Sequence, residues 1–153
     1  MKRIDGRART IRELLAGAEY TIDFYQREYA WQERQVRELI DDLTGKFLDF
    51  YDARHERRKV ETYGHYFLGS IVISHKRGKR FIIDGQQRMT TITLLLIYLH
   101  HLRAEHGGQD VKNLIYSERY GVKNFNLNVP ERIEVMQSLF DGVPFDSNGC
   151  SES

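Results

Sequence analysis

The spacing of apolar positions changes several times along the chain, and each change marks an element. RTIRELLAG, residues 9–17, reads as a short helix with Thr10 as its N-cap and Gly17 as its stop. EYTIDFY, residues 19–25, alternates as a strand, and QREYAW makes a polar-aromatic connection after it. From Glu33 to about Tyr51, apolar Val36, Leu39, Ile40, Leu43, Phe47, Phe50 and Tyr51 recur at spacings of three and four. That stripe, with charges on the opposite face, predicts an amphipathic helix. DARHERRKVET, residues 52–62, is charged and without period, which predicts an exposed loop.

YFLGSIVIS, HKRGK and RFIID, together residues 66–84, predict a hairpin: two β-branched and aromatic runs around a glycine turn. Both runs are apolar on both faces, so the pair is expected near the centre of the fold. A helix from about Met89 to Arg103 follows, apolar nearly all round at Ile92 and at Leu94 to Leu99, and therefore expected to be buried on most sides. Gly107 and Gly108 end it. NFNLNV, residues 124–129, predicts another strand. PERIEVMQSLF, residues 130–140, predicts a helix with Pro130 at its first position, Ile133, Met136, Leu139 and Phe140 on one face, and Gly142 as its stop. Strands and helices mix without regular alternation, which predicts an α+β fold: a small mixed sheet with packed helices. The expected domain is 1–146, with 147–153 a small polar tail.

Composition narrows the class. The 153 residues suit one domain, and the hydrophobic fraction of 41% beside 29% charged residues is that of a globular protein. A net charge of +1 does not by itself point to nucleic acid. The single Cys150 excludes an intrachain disulfide framework and a cysteine-rich zinc site, and fits a cytoplasmic setting. The longest apolar run, Ile92 to Leu99, is far short of the roughly 20 residues a membrane span needs. MKRIDGRART has no apolar core and is not a signal peptide.

The candidate chemistry lies in IIDGQQRMTT, residues 82–91, where the predicted strand meets the apolar helix. Gly85 permits a tight turn and close approach of a ligand to backbone. The first N–H groups of a helix lack intrahelical partners and carry partial positive charge. Arg88 adds a full charge with a bidentate fork, Gln86 and Gln87 add amides, and Thr90 and Thr91 add hydroxyls. This is an anion site best matched to phosphate. Asp84 could hold Mg²⁺ accompanying the phosphates or orient Arg88. The competing reading is a plain polar-capped turn. No G-x-x-x-x-G-K-[ST] is present, so the turn is not a P-loop.

Gln26 and Arg27, within FYQREYAW, offer a second phosphate contact, and a neighbouring aromatic could stack on a base; an ion pair for Arg27 and anchoring for Tyr29 and Trp31 are the alternatives. The basic runs HKRGKR (75–80) and RHERRK (54–59) read as solvated tips before they read as nucleic-acid grips. His100 and His101 are adjacent rather than i, i+4 and do not form a metal pair.

YTIDFYQREYAW, YFLGSIVI and FIIDGQQRMTTITLLL together resemble the N-terminal domain of GmrSD-type modification-dependent restriction enzymes, which SspE-like phosphorothioate-sensing proteins share. The resemblance is strongest from Tyr20 to Leu99 and rests above all on the Asp-Gly-Gln-Gln-Arg box at residues 84–88. That family is similar to the ParB/sulfiredoxin superfamily, and the resemblance implies its fold, with Gly85, Gln86, Gln87, Arg88 and Thr90 at the nucleotide, Gln26 and Arg27 lining the same pocket, and Asp84 serving Mg²⁺ or water. It implies an NTPase of an antiphage restriction system, hydrolysing GTP or ATP with Asp84, Gln87 and Arg88 as its catalytic groups and sensing modified DNA. A non-catalytic ParB-like DNA or nucleotide binder, and a ParB-like nuclease, are the alternatives. Asp23-Phe24 stands where the family usually has proline after the isoleucine. The family architecture continues into a helical region and often an HNH nuclease domain. No HNH-like set of His and Asn is present here, so DNA cleavage is expected from a separate domain or subunit.

Overall fold

The computed structural model describes residues 5–23 and 28–144. Two compact units are present, residues 1–27 with 71–153, and residues 28–70. The mixture of helices and small sheets is α+β, as the sequence pattern predicts.

In the larger unit, helix α1 (Ile11–Leu15) opens with a capping box: Thr10 Oγ1 accepts from the Glu13 amide, and the Glu13 carboxylate accepts from the Thr10 amide at 2.7 Å. Gly17 follows at φ +65. Strand β1 is only Thr21–Ile22. It is shorter than the alternation suggests, because Tyr20 pairs elsewhere, in an isolated bridge to Leu127. Strands β2 (Val72–Lys76) and β3 (Lys79–Asp84) form the expected hairpin, turning at Arg77 and Gly78 with φ of 49 and 75. Positive φ at both turn residues matches the twist of the flanking strands.

The sheet order is β1-β3-β2, with β1 parallel and β2 antiparallel to β3. This corrects the expectation of a central hairpin. Only β3 is central, with Ile82 fully buried; β2 is an edge strand whose Val72 is 49% exposed. Apolar residues on both faces of β2 thus do not mark burial.

Helix α3 (Gln86–His106) starts three residues earlier than its apolar run and ends at Gly107. Met89, Ile92, Leu96 and Ile97 are buried with Thr90, Thr91 and Thr93. The threonines are accommodated because each hydroxyl donates to the carbonyl four residues back, at 2.9 Å in all three cases. Further along, Tyr98 and Leu99 are exposed, so burial on most sides holds only for the first three turns.

Helix α4 (Lys112–Ile115) leads into a second hairpin of β4 (Tyr116–Arg119) and β5 (Val122–Phe125). The strand expected at 124–129 is therefore displaced toward the N-terminus, and residues 126–129 continue as an extended segment that meets Tyr20. Asn126, 1% exposed, ties this region together. Its Nδ2 donates to the carbonyls of Leu15 and Asn113, each at 2.9 Å, and its Oδ1 accepts from Ser117 Oγ. A short 3-10 turn at Pro130–Arg132 precedes α5 (Ile133–Asp141), which ends at the left-handed Gly142.

Helices α3 and α5 meet at a stacked pair. The His100 ring lies 4.9 Å from that of Phe140 at an interplanar angle of 4°. Its Nδ1 is buried without a hydrogen-bond partner. Burial first, then Lys112, His101 and Arg103, holds the His100 pKa below its usual value, against an opposing pull from Asp110. A depressed folded pKa means that the unfolded state takes up the proton more readily. Stability should therefore fall as pH drops below about 6.5, where an unfolded histidine begins to charge. Urea midpoints at pH 7.5 and 5.5 should show this loss in the wild-type chain and a smaller one in His100→Phe.

In the smaller unit, helix α2 (Glu33–Leu48) buries Leu39, and the charged run after it contains a 3-10 helix at Arg57–Thr62 in place of the expected loop, exposed throughout. Tyr63 is buried among Phe47, Phe50 and His55, with ring centroids 5.5, 5.9 and 5.8 Å away. Its hydroxyl lies 2.8 Å from His55 Nδ1. Gly64 is required there, since a Cβ would stand 2.8 Å from the Phe50 ring.

Candidate functional site

The turn from β3 to α3 gathers the residues singled out from the sequence. Gly85 is buried, sits in the left-handed region at φ 86 and ψ 13, and forms the N-cap of the 21-residue α3. An L side chain rarely adopts that backbone conformation, so glycine is the residue the turn needs. Gly85 also brings no side chain to cap the first turn, in contrast to Thr10 of α1. The N-terminal pole of a long helix thus begins directly at the sheet edge.

Asp84 and Arg88 flank the glycine one helical turn apart. Arg88 Nη2 lies 3.8 Å from Asp84 Oδ2, with the Arg88 side chain 25% and the Asp84 side chain 66% exposed. An ion pair this long and this wet contributes under about 1 kcal/mol. It leaves Arg88 able to turn to a stronger anion. Gln86 is turned inward: its Nε2 donates to the carbonyls of Ile82 at 3.1 Å and Ile83 at 3.2 Å, fastening the helix start to the strand end. Gln87 is half-buried in the same first turn.

Thr90 is buried, its hydroxyl proton is committed to the Gln86 carbonyl, and its oxygen accepts from Arg132 Nη1 at 2.6 Å. Arg132 was not singled out from the sequence, although one signal pointed to it. It is the N-cap residue of α5, an end of a helix where a positive charge is disfavoured. A cation placed there has work elsewhere, and 42 residues away in sequence that partner is Thr90.

The structure therefore brings together Asp84, Gly85, Gln86, Gln87, Arg88 and Thr90, and adds Arg132. The parallel register Thr21↔Phe81 and Ile22↔Ile82 sends β1 out of the sheet at the same edge as β3. Gln26 and Arg27, the next box in the chain, lie outside the described residues. The turn suits an anion with several acceptor oxygens: helix pole, flexible guanidinium and glycine backbone converge on one spot. Asp84 fits Mg²⁺ as one exposed carboxylate, the way that ion is held when phosphates supply the remaining ligands. Among the described residues no three acidic, histidine or cysteine side chains cluster into a cage for a metal by themselves.

The same Asp-Gly-Gln-Gln-Arg turn anchors a match to a known family. Residues 11–145 match the GmrSD restriction endonuclease N-terminal domain. The chain belongs to that family. As a GmrSD N-terminal domain it is a module of a restriction system, in which it works with DNA and with a nuclease domain. No curated protein sequence matches it. Among the described residues of this GmrSD domain, no helix is long and apolar enough to cross a membrane.

Proposed function

We propose that this GmrSD N-terminal domain is a cytoplasmic nucleotide-hydrolysing sensor of modified DNA, with ATP or GTP bound at the Asp84–Arg88 turn. The observation that carries this reading is the left-handed Gly85 at the head of α3 with Arg88 in the first turn behind it. Arg88 turns from its loose contact with Asp84 to the phosphates and stabilises charge that develops as the terminal phosphoryl group leaves. The Gly85 backbone and the α3 pole receive the same charge. The Gln87 amide positions the attacking water, and Asp84 accepts a hydrogen bond from it or binds the metal. Gln26 and Arg27 complete the pocket from the neighbouring box. Mg²⁺, when bound with the nucleotide, neutralises phosphate oxygens and orients the leaving group.

A phosphorothioate or otherwise modified DNA then alters turnover, which is how the module reports to its nuclease. A second reading, nucleotide binding without turnover, is favoured by one feature: Asp84 is the only carboxylate between residues 80 and 99. Phosphate release from ATP and GTP with Mg²⁺, with and without phosphorothioate DNA, separates the two. Release that the modified DNA changes by several-fold is the expected result. Binding of nucleotide with no release would select the second reading.

A further inference from the structure

The residue left over from this account is Arg132. Its guanidinium is held at the first turn of α3 by a 2.6 Å hydrogen bond to Thr90. Thr90 can neither rotate away nor donate to a ligand. Its proton goes to the Gln86 carbonyl at 2.9 Å, and Gln86 is in turn fastened to Ile82 and Ile83. A buried hydroxyl with its donor committed is an acceptor only, so what it can hold is a cation. Side chains in a helix lean toward its N-terminus, so Thr90 presents Arg132 toward the end where Gly85 and Arg88 lie. The partner side agrees. Arg132 stands at the N-terminal pole of α5, where its charge is repelled by that helix, and the Pro130 3-10 turn fixes the chain that carries it. Two helix poles and two arginines thus meet around one turn, with Asp84 as its carboxylate.

We propose that Arg132 supplies the second positive charge of the nucleotide site, and that Thr90 is the positioning residue that holds it there. The inference rests on the reading of the Asp84–Arg88 turn as a nucleotide site. A triphosphate with Mg²⁺ carries a net negative charge that Arg88 alone does not balance. Arg132 makes up the difference from a different part of the chain, so a complete site depends on α5 being docked against α3. Thr90 serves the nucleotide through Arg132 and not by touching phosphate.

The test is equilibrium binding of the β,γ-imido analogues of ATP and GTP, with Mg²⁺, to the whole chain at two ionic strengths. Arg132→Gln should weaken binding about tenfold or more and flatten its salt dependence, as loss of a charge-assisted contact does. Arg132→Lys keeps the charge and should stay within about threefold of wild type. Thr90→Val keeps the charge and removes its anchor, and should fall between them; Thr90→Ser should restore wild-type affinity. Circular dichroism confirms that each variant is folded, and if Arg132→Gln is not, the lysine, valine and serine variants decide. Arg88→Ala is the reference. If it loses binding while Arg132→Gln and Thr90→Val bind as wild type, the inference about Arg132 is wrong and the nucleotide reading stands. Equal loss in Arg132→Lys and Arg132→Gln would also overturn it. If the wild-type chain binds neither analogue, the nucleotide reading itself fails.

Discussion

Arg88→Ala should lower phosphate release by at least about a hundredfold, the scale of removing one preorganised group from a phosphoryl-transfer site. Stability should hardly change. The Asp84 contact is 3.8 Å long and mostly in water, so its loss costs under about 1 kcal/mol. Arg88→Lys should recover part of the loss, because the charge remains while the planar fork does not. This split between a large catalytic effect and a small structural one is what distinguishes a phosphate ligand from an ordinary surface arginine. Turnover and thermal midpoint, measured on the same preparations, report the two quantities separately. Unaltered release from a folded Arg88→Ala chain would remove Arg88 from the mechanism.

The largest effect on the fold is expected at Asn126. Its amide is 1% exposed and donates to two carbonyls, those of Leu15 and Asn113, from parts of the chain 111 and 13 residues away. Asn126→Asp replaces the donor with an oxygen that faces both carbonyls and, at neutral pH, buries a charge. Breaking a buried polar network in this way costs about 3–5 kcal/mol. Set against a total stability of about 5–15 kcal/mol, that is a large share. At about 2–4 °C per kcal/mol for a domain of this size, the midpoint should fall by roughly 6–20 °C. The penalty has a pH signature. Burial raises the folded pKa of the introduced carboxyl above its unfolded value, so its neutral form is favoured in the folded state. The stability gap to wild type should therefore narrow as pH falls from 7 toward 4, since the protonated acid can again donate one hydrogen bond. Thermal melts of both proteins across that range check it, and a gap that is constant with pH would contradict it.

What could be read from sequence follows the range of the interactions involved. The helix stop at Gly107, the Thr10 cap and the β2–β3 hairpin are set within a few residues, and each was legible. So was the candidate turn, because a left-handed glycine ahead of a buried helix is a local feature. The β4–β5 hairpin was not. Its strands, YSER and VKNF, are mostly polar, and its turn, Tyr120-Gly121, reaches φ of 53 and 77 without the Asn or Asp that marks such turns. The position of β2 at the sheet edge was hidden because apolar residues on both faces are compatible with either place. Arg132 was hidden for a third reason. Its role depends on α5 docking on α3, and no spacing along the chain encodes a contact 42 residues apart.

The central claim is that Asp84–Arg88 holds a nucleoside triphosphate. At 18.1 kDa the chain is within reach of amide NMR, which locates binding residue by residue. Titration with the β,γ-imido analogue of GTP or of ATP and Mg²⁺ should shift the amides of Gly85, Gln87 and Arg88 first and most, with saturation. Saturable shifts confined to another surface, or none at all with either analogue, would contradict the account.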